Sequence, residues 1–330
     1  MKILKLLTAA TIMLAVTSCD KREQNINFPP GVSDNVATVA SKNNLTVFAN
    51  ALRLAKMDTA FNYLGQYTVF APSDAAFNAA GITNANLSAV PEGTLRTILR
   101  NHILPGRTTA LSFLPGPNAL YGNINRDFVY TSGYFPPVAT QFLGTFFNGK
   151  KLIQSDLIAN NGVIHVINGV LLPAAGNLSA TLALNSNLSY LAAALVRANL
   201  MATLDGNTAA ITLFAPTNAA FIAAGYPTIA SINAELPATL SNILRVHVIS
   251  AANAPSLGGR IFSSDARPGT TLTSLNGAVQ VSVSGAGAVG LRGPGNSADA
   301  MVTTPDLLFR SFISTGAPSV YHIIDRVLLP

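Results

Sequence analysis

The order of hydrophobic and polar positions repeats once along this chain of 330 residues. Leu45–Met57 places apolar side chains three and four residues apart, which predicts an amphipathic helix. Leu188–Leu200 shows the same pattern 143 residues later. Thr94–His102 and Thr239–His247 predict a second pair of helices, offset by 145 residues. The chain therefore carries two copies of one arrangement.

The strongest repeat is Thr68–Gly81, which returns as Thr212–Gly225 with ten of fourteen positions identical. In each copy a β-prone run ends at a proline, which cannot donate a hydrogen bond to a sheet. Ser73 and Thr217 follow at the expected N-cap of a short helix, because a hydroxyl can accept a free backbone N–H there. A glycine ends each helix, since glycine adopts the left-handed conformation at little cost.

The second half of each copy changes to the period of β-strands, with Gly, Asn and Pro at the turns. Both copies end on a similar apolar strand, within Asn161–Pro173 in the first and Ser319–Pro330 in the second. Helical periodicity followed by strand periodicity predicts an α+β fold. We place the first copy at residues 32–174 and the second at residues 178–330, and we expect each to fold as a unit.

In combination these motifs resemble the fasciclin family, over both copies. The resemblance rests on their order: amphipathic helix, Phe-Ala-Pro segment, helix ending in histidine, and apolar closing strand. It implies two tandem α+β domains, each a wedge or sandwich of β-sheets with packed helices. It also implies an extracellular or membrane-anchored protein that acts in adhesion.

The N-terminal segment predicts a lipid anchor. Two lysines precede an apolar stretch, Ile3–Val16, that is too short to span a bilayer. It leads into Val-Thr-Ser-Cys, which resembles the lipobox of bacterial lipoproteins, and Cys19 is the only cysteine of the chain. We expect residues 1–18 to be a signal peptide that is cleaved before a lipid-modified Cys19, and residues 19–31 to be a tether. An ordinary signal peptide is the alternative.

The charge distribution and the predicted anchor together limit the class of partner. Lys and Arg number 20 against 14 Asp and Glu, and the basic residues are scattered without interleaved aromatics. We therefore expect no nucleic-acid partner. The anchor predicts a place in the bacterial cell envelope, on the periplasmic or surface face of the outer membrane. We expect binding to a protein or glycan there; the alternatives are a structural envelope component, or an accessory to polysaccharide processing with a ligand site in the cleft between the domains.

Four histidines form the best candidate for a chemical site, at equivalent positions of the two copies: His102, His165, His247 and His322. We interpret them as structural, that is, as buried imidazoles bonded to backbone carbonyls. A zinc site would need a further protein ligand that the sequence does not supply. In the fasciclin family a tyrosine usually precedes the first histidine and is tied to receptor binding in animals. Asn101 and Val246 stand there instead, so we do not transfer that role.

The remaining motifs predict no enzyme, cofactor or metal. Gly285–Gly290 fits a dinucleotide-binding pattern, but the Gly-Pro-Gly that follows forbids the required helix, and we interpret the segment as a hairpin turn. No nucleophile-elbow, zinc-protease, P-loop or EF-hand pattern occurs. Four carboxylates are isolated along the sequence and predict no acid–base pair: Asp156, Asp299, Asp306 and Asp325.

Aromatic residues are divided unequally between the copies. Nine lie between the two histidines of the first copy, against four in the second. Tyr134 and Phe135 follow a glycine and precede two prolines, so we expect them at a loop tip. Aromatic side chains there bury a large area at little entropic cost, and we predict that both contact the partner. The alternative is that this loop packs on its own domain.

Overall fold

The computed structural model describes residues 32–58, 65–113, 119–133, 144–206, 209–284, 287–310 and 318–330. Within it, residues 33–330 form one compact unit that contains both copies. The helices of the first copy are α1 (Val36–Lys42), α2 (Thr46–Leu54), α3 (Asp74–Ala79) and α4 (Glu92–Asn101). Those of the second copy are α5 (Leu178–Ala183), α6 (Ser189–Arg197), α7 (Met201–Asp205), α8 (Asn218–Ala223), α9 (Ile229–Ala234) and α10 (Pro237–Val246).

Among the residues that the structure describes, each copy also contributes seven strands in the same order. The strands of the first copy are β1 (Tyr67–Pro72), β2 (Ile103–Pro105), β3 (Ala119–Gly122), β4 (Phe128–Gly133), β5 (Thr145–Phe147), β6 (Lys150–Ala159) and β7 (Gly162–Ile167). Those of the second copy are β8 (Ile211–Pro216), β9 (Val248–Ser250), β10 (Thr271–Ser274), β11 (Gly277–Val283), β12 (Val289–Arg292), β13 (Ala300–Phe309) and β14 (Ser319–Ile324).

The strands of each copy form one sheet, ordered β2-β1-β7-β6-β5-β4-β3 and β10-β11-β12-β13-β14-β8-β9. The closing strand lies parallel to the Phe-Ala-Pro strand in both copies, β7 on β1 and β14 on β8. The long strand β6 pairs with β5 through its first two residues and with β7 through the rest, with two register shifts. This strand therefore joins two layers into a wedge, and the α+β prediction is confirmed.

The Phe-Ala-Pro segment folds as its sequence predicts. Ser73 Oγ accepts the N–H of Ala76 at 3.1 Å, and Thr217 makes the same N-cap in the second copy. Gly81 and Gly225 follow the two helices with φ of +76° and +94°. The hairpin interpretation of the glycine-rich motif also agrees with the fold, because β11 and β12 pair antiparallel on either side of it.

The first long helix of each copy is shorter than predicted. Its apolar face is buried as expected, but α2 ends at Leu54 and α6 ends at Arg197. Lys56 and Asn199 follow with φ of +52° and +57°, which ends the α-helical path. Lysine has no preference for this conformation, so no residue type marks the end of α2, whereas asparagine adopts it readily and Asn199 marks the end of α6.

Two layers of core fill each copy. Helices cover one face of the sheet, and a second cluster fills the wedge between its two halves. In the first copy that second cluster is aromatic: the ring of Phe70 lies 4.1 Å from that of Phe147 and 5.7 Å from that of Phe113. Part of the aromatic excess of the first copy is therefore core. In the described part of the chain, no helix has the length and apolar character needed to cross a membrane.

Candidate functional site

Two of the predicted histidines end helices, and the backbone engages both of their ring nitrogens. Fully buried His102 follows α4, with Nδ1 2.8 Å from the carbonyl oxygen of Ile98. Its Nε2 accepts the N–H of Leu171 at 2.8 Å, so Nδ1 carries the proton and donates. His247 makes the same pair of bonds at the end of α10. Burial lowers the pKa of both imidazoles to about 4, against a weaker opposing effect of the backbone bond.

The other two histidines lie in the closing strands. His322 in β14 donates from Nε2 to the carbonyl oxygen of Ile261 at 2.7 Å and accepts the N–H of Asp306 at 3.2 Å. His165 makes the equivalent bonds in β7, at 2.8 and 3.4 Å. Burial lowers the pKa of both. All four imidazoles are thus neutral and connect the backbone of neighbouring segments, which leaves no ring nitrogen for a ligand.

Three other residues of the predicted site, Cys19, Tyr134 and Phe135, lie outside the described residues, and their roles stay predictions. No three or more His, Cys, Asp or Glu side chains of the described ranges surround a point where a metal ion could bind. The buried carboxylates of the described residues, with the groups that they bind, lie instead where the two copies meet.

The two copies meet at a junction, formed by β4 and the β5–β6 turn of the first copy against β13 and a 3₁₀ turn of the second. The Asn148–Gly149 turn lies directly against Asp306, since a Cβ added to Gly149 would stand 2.2 Å from Asp306 Oδ2. Lys150 Nζ approaches the same oxygen at 3.2 Å. Ser263 donates both its N–H and its hydroxyl to this carboxylate at 2.6 Å. Lys150 of the first copy thus neutralises the charge of Asp306 in the second copy.

A second carboxylate faces the junction beside the first. Asp265 accepts the N–H of Phe262 at 2.9 Å, and the hydroxyl of Ser132 from the other copy is among the groups that influence its pKa. Burial raises the pKa of Asp265 to about 7; the Phe262 N–H opposes this rise and the charge of Asp306 adds to it. Asp306, which is isolated along the sequence, thus has a neighbouring carboxylate, Asp265, that comes from a distant part of the chain.

Apolar contacts seal the same junction. Tyr130 of the first copy joins Phe262, Leu308 and Val320 of the second in one buried cluster. The rings of Tyr130 and Phe262 lie 5.8 Å apart, and the guanidinium carbon of Arg260 lies 5.0 Å from the centre of the tyrosine ring. The two copies therefore share a small core in addition to their own.

A further ion pair crosses the junction. Arg310 Nη2 lies 2.7 Å from Oδ2 of Asp127, whose side chain is only 1% exposed. Removal of one partner from a buried pair leaves an uncompensated charge, which is costly. The contacts across the junction thus hold the copies in one fixed arrangement.

A cleft of about 340 Å³ opens beside the junction, with walls from both copies. The first copy supplies three alanines of α3 and its end, Ala76, Ala79 and Ala80, and also Gly169, Val170 and Leu172; the second supplies Thr303–Leu307. Apart from the paired Lys150 and Asp306, the residues of the lining are apolar or are threonines. Such a surface suits an extended, uncharged ligand better than an ionic one.

Comparison with known proteins gives a family match for both copies. A family model described as the fasciclin domain matches residues 43–173 and again residues 186–330. Protein sll1483 of Synechocystis sp. is 28% identical over 166 residues, which is 48% of this chain and 87% of that protein.

Animal proteins are similar over a smaller part of their own length. Transforming growth factor-beta-induced protein ig-h3 of Sus scrofa is 32% identical over 174 residues, 52% of this chain and 24% of that protein. Human periostin is 24% identical over 271 residues, 81% of this chain and 28% of that protein. This chain thus spans about a quarter of the length of these two relatives. A solved FAS1 domain pair from the insect cell adhesion molecule Fasciclin I, 19% identical, covers 88% of this chain and 98% of its own, with a TM-score of 0.41.

Proposed function

We propose, starting from the fact that this chain belongs to the fasciclin family, that it is a non-catalytic binding protein whose two fasciclin domains act as one module. The observation that carries the proposal is the cleft at the junction, because its walls come from both domains. Its lining of apolar residues and threonines fits a segment of glycan or protein on a surface or matrix. The buried histidines support a scaffold role, since their nitrogens bind backbone.

The proposal includes attachment to the bacterial cell envelope through lipid on Cys19, in a lipobox-like segment at the end of an apolar stretch. Cys19→Ser should abolish fatty-acid labelling in cells and leave uncleaved precursor, because the thiol is the acceptor of the lipid. Ser18→Ala keeps a small residue before the cleavage site and should be labelled normally. Normal processing and membrane retention of the serine variant would contradict the anchor.

Filling the cleft should abolish binding without unfolding the protein. Ala79 is exposed on α3 and lines the cleft, so Ala79→Trp should block it. Ala223 holds the equivalent exposed position on α8 and does not line the cleft, which makes Ala223→Trp a matched control. We expect residues 20–330 to bind purified envelope polymers or a glycan array, Ala79→Trp to lose at least tenfold in affinity, and Ala223→Trp to bind like the parent.

Two results would contradict this use of the cleft. Equal binding by both tryptophan variants would place the partner elsewhere on the molecule. Release of new reducing ends from a bound polysaccharide, lost in Ala79→Trp, would instead support the role in polysaccharide processing.

A further inference from the structure

Both domains build the same local structure around one aspartate in the long strand. Asp156 is the seventh residue of β6 and Asp306 the seventh of β13, with φ of +59° and +63°. Each carboxylate accepts the first N–H of a 3₁₀ turn, from Ala110 at 3.0 Å in the first domain and from Ser263 at 2.6 Å in the second. The residue after each of these is therefore also equivalent between the domains.

In the second domain, the local structure around Asp306 is covered by residues of the first domain. Ser264, which follows Ser263, meets the hydroxyl of Ser132 at 2.9 Å. Asp306 receives the ammonium group of Lys150, and the glycine turn before that lysine fits against it. The cover is thus made by Ser132 in β4 and by the β5–β6 hairpin, in which Gly149 of the turn is followed directly by the cation of Lys150.

In the first domain, the equivalent structure is open. Leu111 stands where the second domain has Ser264, and it is 97% exposed. Ile153 is 52% exposed and stands where the second domain has Thr303, which is also exposed and lines the cleft. Asp156 has no ion-pair partner among the residues that the structure describes. An exposed leucine beside a carboxylate without an ion-pair partner offers a docking partner both apolar area and charge complementarity.

We propose that Leu111, Ile153 and Asp156 form a docking face for the β-hairpin of another fasciclin-type domain. The docking hairpin needs a glycine at its turn, so that it can approach the aspartate. It also needs a lysine or arginine after the turn to pair with Asp156, and an apolar side chain to cover Leu111. The docked pair would repeat, between two polypeptides, the packing that already joins the two domains of this chain. This face is separate from the cleft and adds a second partner to the proposed function.

The hairpin must come from a different polypeptide. In a second copy of this chain, the β5–β6 hairpin is already bound to its own Asp306. The equivalent hairpin of the second domain has Ala300 in place of Lys150, by the strand register. Its connecting loop is also engaged elsewhere, since Gly295 donates to the carbonyl oxygen of Leu329. A second copy therefore presents neither the cation nor the free turn.

A peptide copy of the docking hairpin tests the proposal. The probe is a cyclised, fluorescein-labelled peptide with the sequence of residues 144–152, titrated with protein residues 20–330 and followed by fluorescence anisotropy. We expect saturable binding that weakens at least tenfold in Asp156→Asn, which removes the charge and keeps the acceptor for Ala110, and in Leu111→Lys, which sets a like charge against the lysine of the peptide. Leu120→Lys, at another exposed leucine, is the matched control and should bind like the parent.

The outcomes separate this face from the cleft. Ala79→Trp should bind the peptide normally, so loss of cleft binding and loss of hairpin binding are distinguishable. A peptide with Lys150→Glu should not bind. Absence of binding by the parent peptide, or binding that is unchanged in both Leu111→Lys and Asp156→Asn, overturns the proposal. Concentration-dependent dimerisation of the protein that Leu111→Lys abolishes would assign the face to a second copy and overturn the choice of partner.

Discussion

Gly149→Ala should split the thermal unfolding of this protein into two transitions, where the parent unfolds in one. The change adds a Cβ 2.2 Å from the Asp306 carboxylate, at a residue with φ of +76°. The left-handed backbone alone costs about 1–2 kcal/mol for a residue other than glycine. Overpacking in a dense interface adds about 1–3 kcal/mol. Because the clash falls on the junction, we expect the two domains to separate before either of them unfolds.

Gly81→Ala provides the control for backbone strain. Gly81 also has φ of +76°, but nothing lies within 4 Å of its added Cβ. Its unfolding, followed by scanning calorimetry of residues 20–330, should remain a single transition at a slightly lower midpoint. A single transition in Gly149→Ala, with the same small shift as in Gly81→Ala, would show that the junction does not couple the domains.

Lowering the pH from 7 to 5 should destabilise the fold through His102 and His247. Burial lowers their pKa from 6.5 to about 4. Between these values the unfolded chain takes up protons that the folded protein does not bind. The free energy of unfolding therefore decreases as the pH decreases. At pH 5 the loss is about 2 kcal/mol for each of the two histidines. The lowered pKa of His165 and of His322 acts in the same direction.

Asp265 opposes this loss. Its pKa is raised from 3.8 to about 7, so between these values the folded protein binds a proton that the unfolded chain does not. Its contribution to stability therefore grows as the pH falls, by about 2 kcal/mol between pH 7 and pH 5. Asp265→Asn removes this contribution. The variant should be more stable than the parent at pH 7 and should lose more stability on acidification.

Urea unfolding of the parent and of Asp265→Asn at pH 7, 6 and 5 measures both effects. We expect the slope of unfolding free energy against pH to be positive in both proteins and steeper in the variant. Equal slopes would contradict the raised pKa of Asp265. A flat profile in the variant would contradict the neutral, buried state of the two helix-end histidines.

The repeat made most of the fold predictable. Ten identical positions in fourteen placed two strands and two capped helices correctly, because proline, a capping hydroxyl and glycine act locally. The helix end at Lys56 was not predictable, since lysine has no preference for the left-handed conformation, whereas Asn199 belongs to a residue type that adopts it readily.

Asp74 shows a second limit of the sequence. Its position suits the dipole of its own helix, α3, but its carboxylate also accepts the N–H of Val47 at 2.9 Å and the hydroxyl of Thr46 at 2.6 Å. It thus caps the start of the neighbouring helix α2. Asn218 does the same for α6 through the N–H of Tyr190. The periodicity of apolar residues does not show which helices are neighbours, because that depends on tertiary packing.

The junction was beyond prediction for the same reason. Lys150 and Asp306 are far apart in sequence, and each resembles a solvated surface charge when viewed alone. Differences between equivalent positions of the two copies still indicated the junction. Lys150 in the first domain is replaced by Ala300 in the second, and Leu111 by Ser264, so each domain differs at the face where the two are joined.

The central claim is that binding needs both fasciclin domains held together at the junction. Co-sedimentation of residues 20–330 with purified cell envelopes, compared among the parent, Gly81→Ala and Gly149→Ala, tests it most directly. Circular dichroism of each protein at the assay temperature confirms that both variants are folded. We predict that the parent and Gly81→Ala bind alike and that folded Gly149→Ala loses at least nine-tenths of the binding. Full binding by Gly149→Ala would contradict the claim and assign the partner to a single domain.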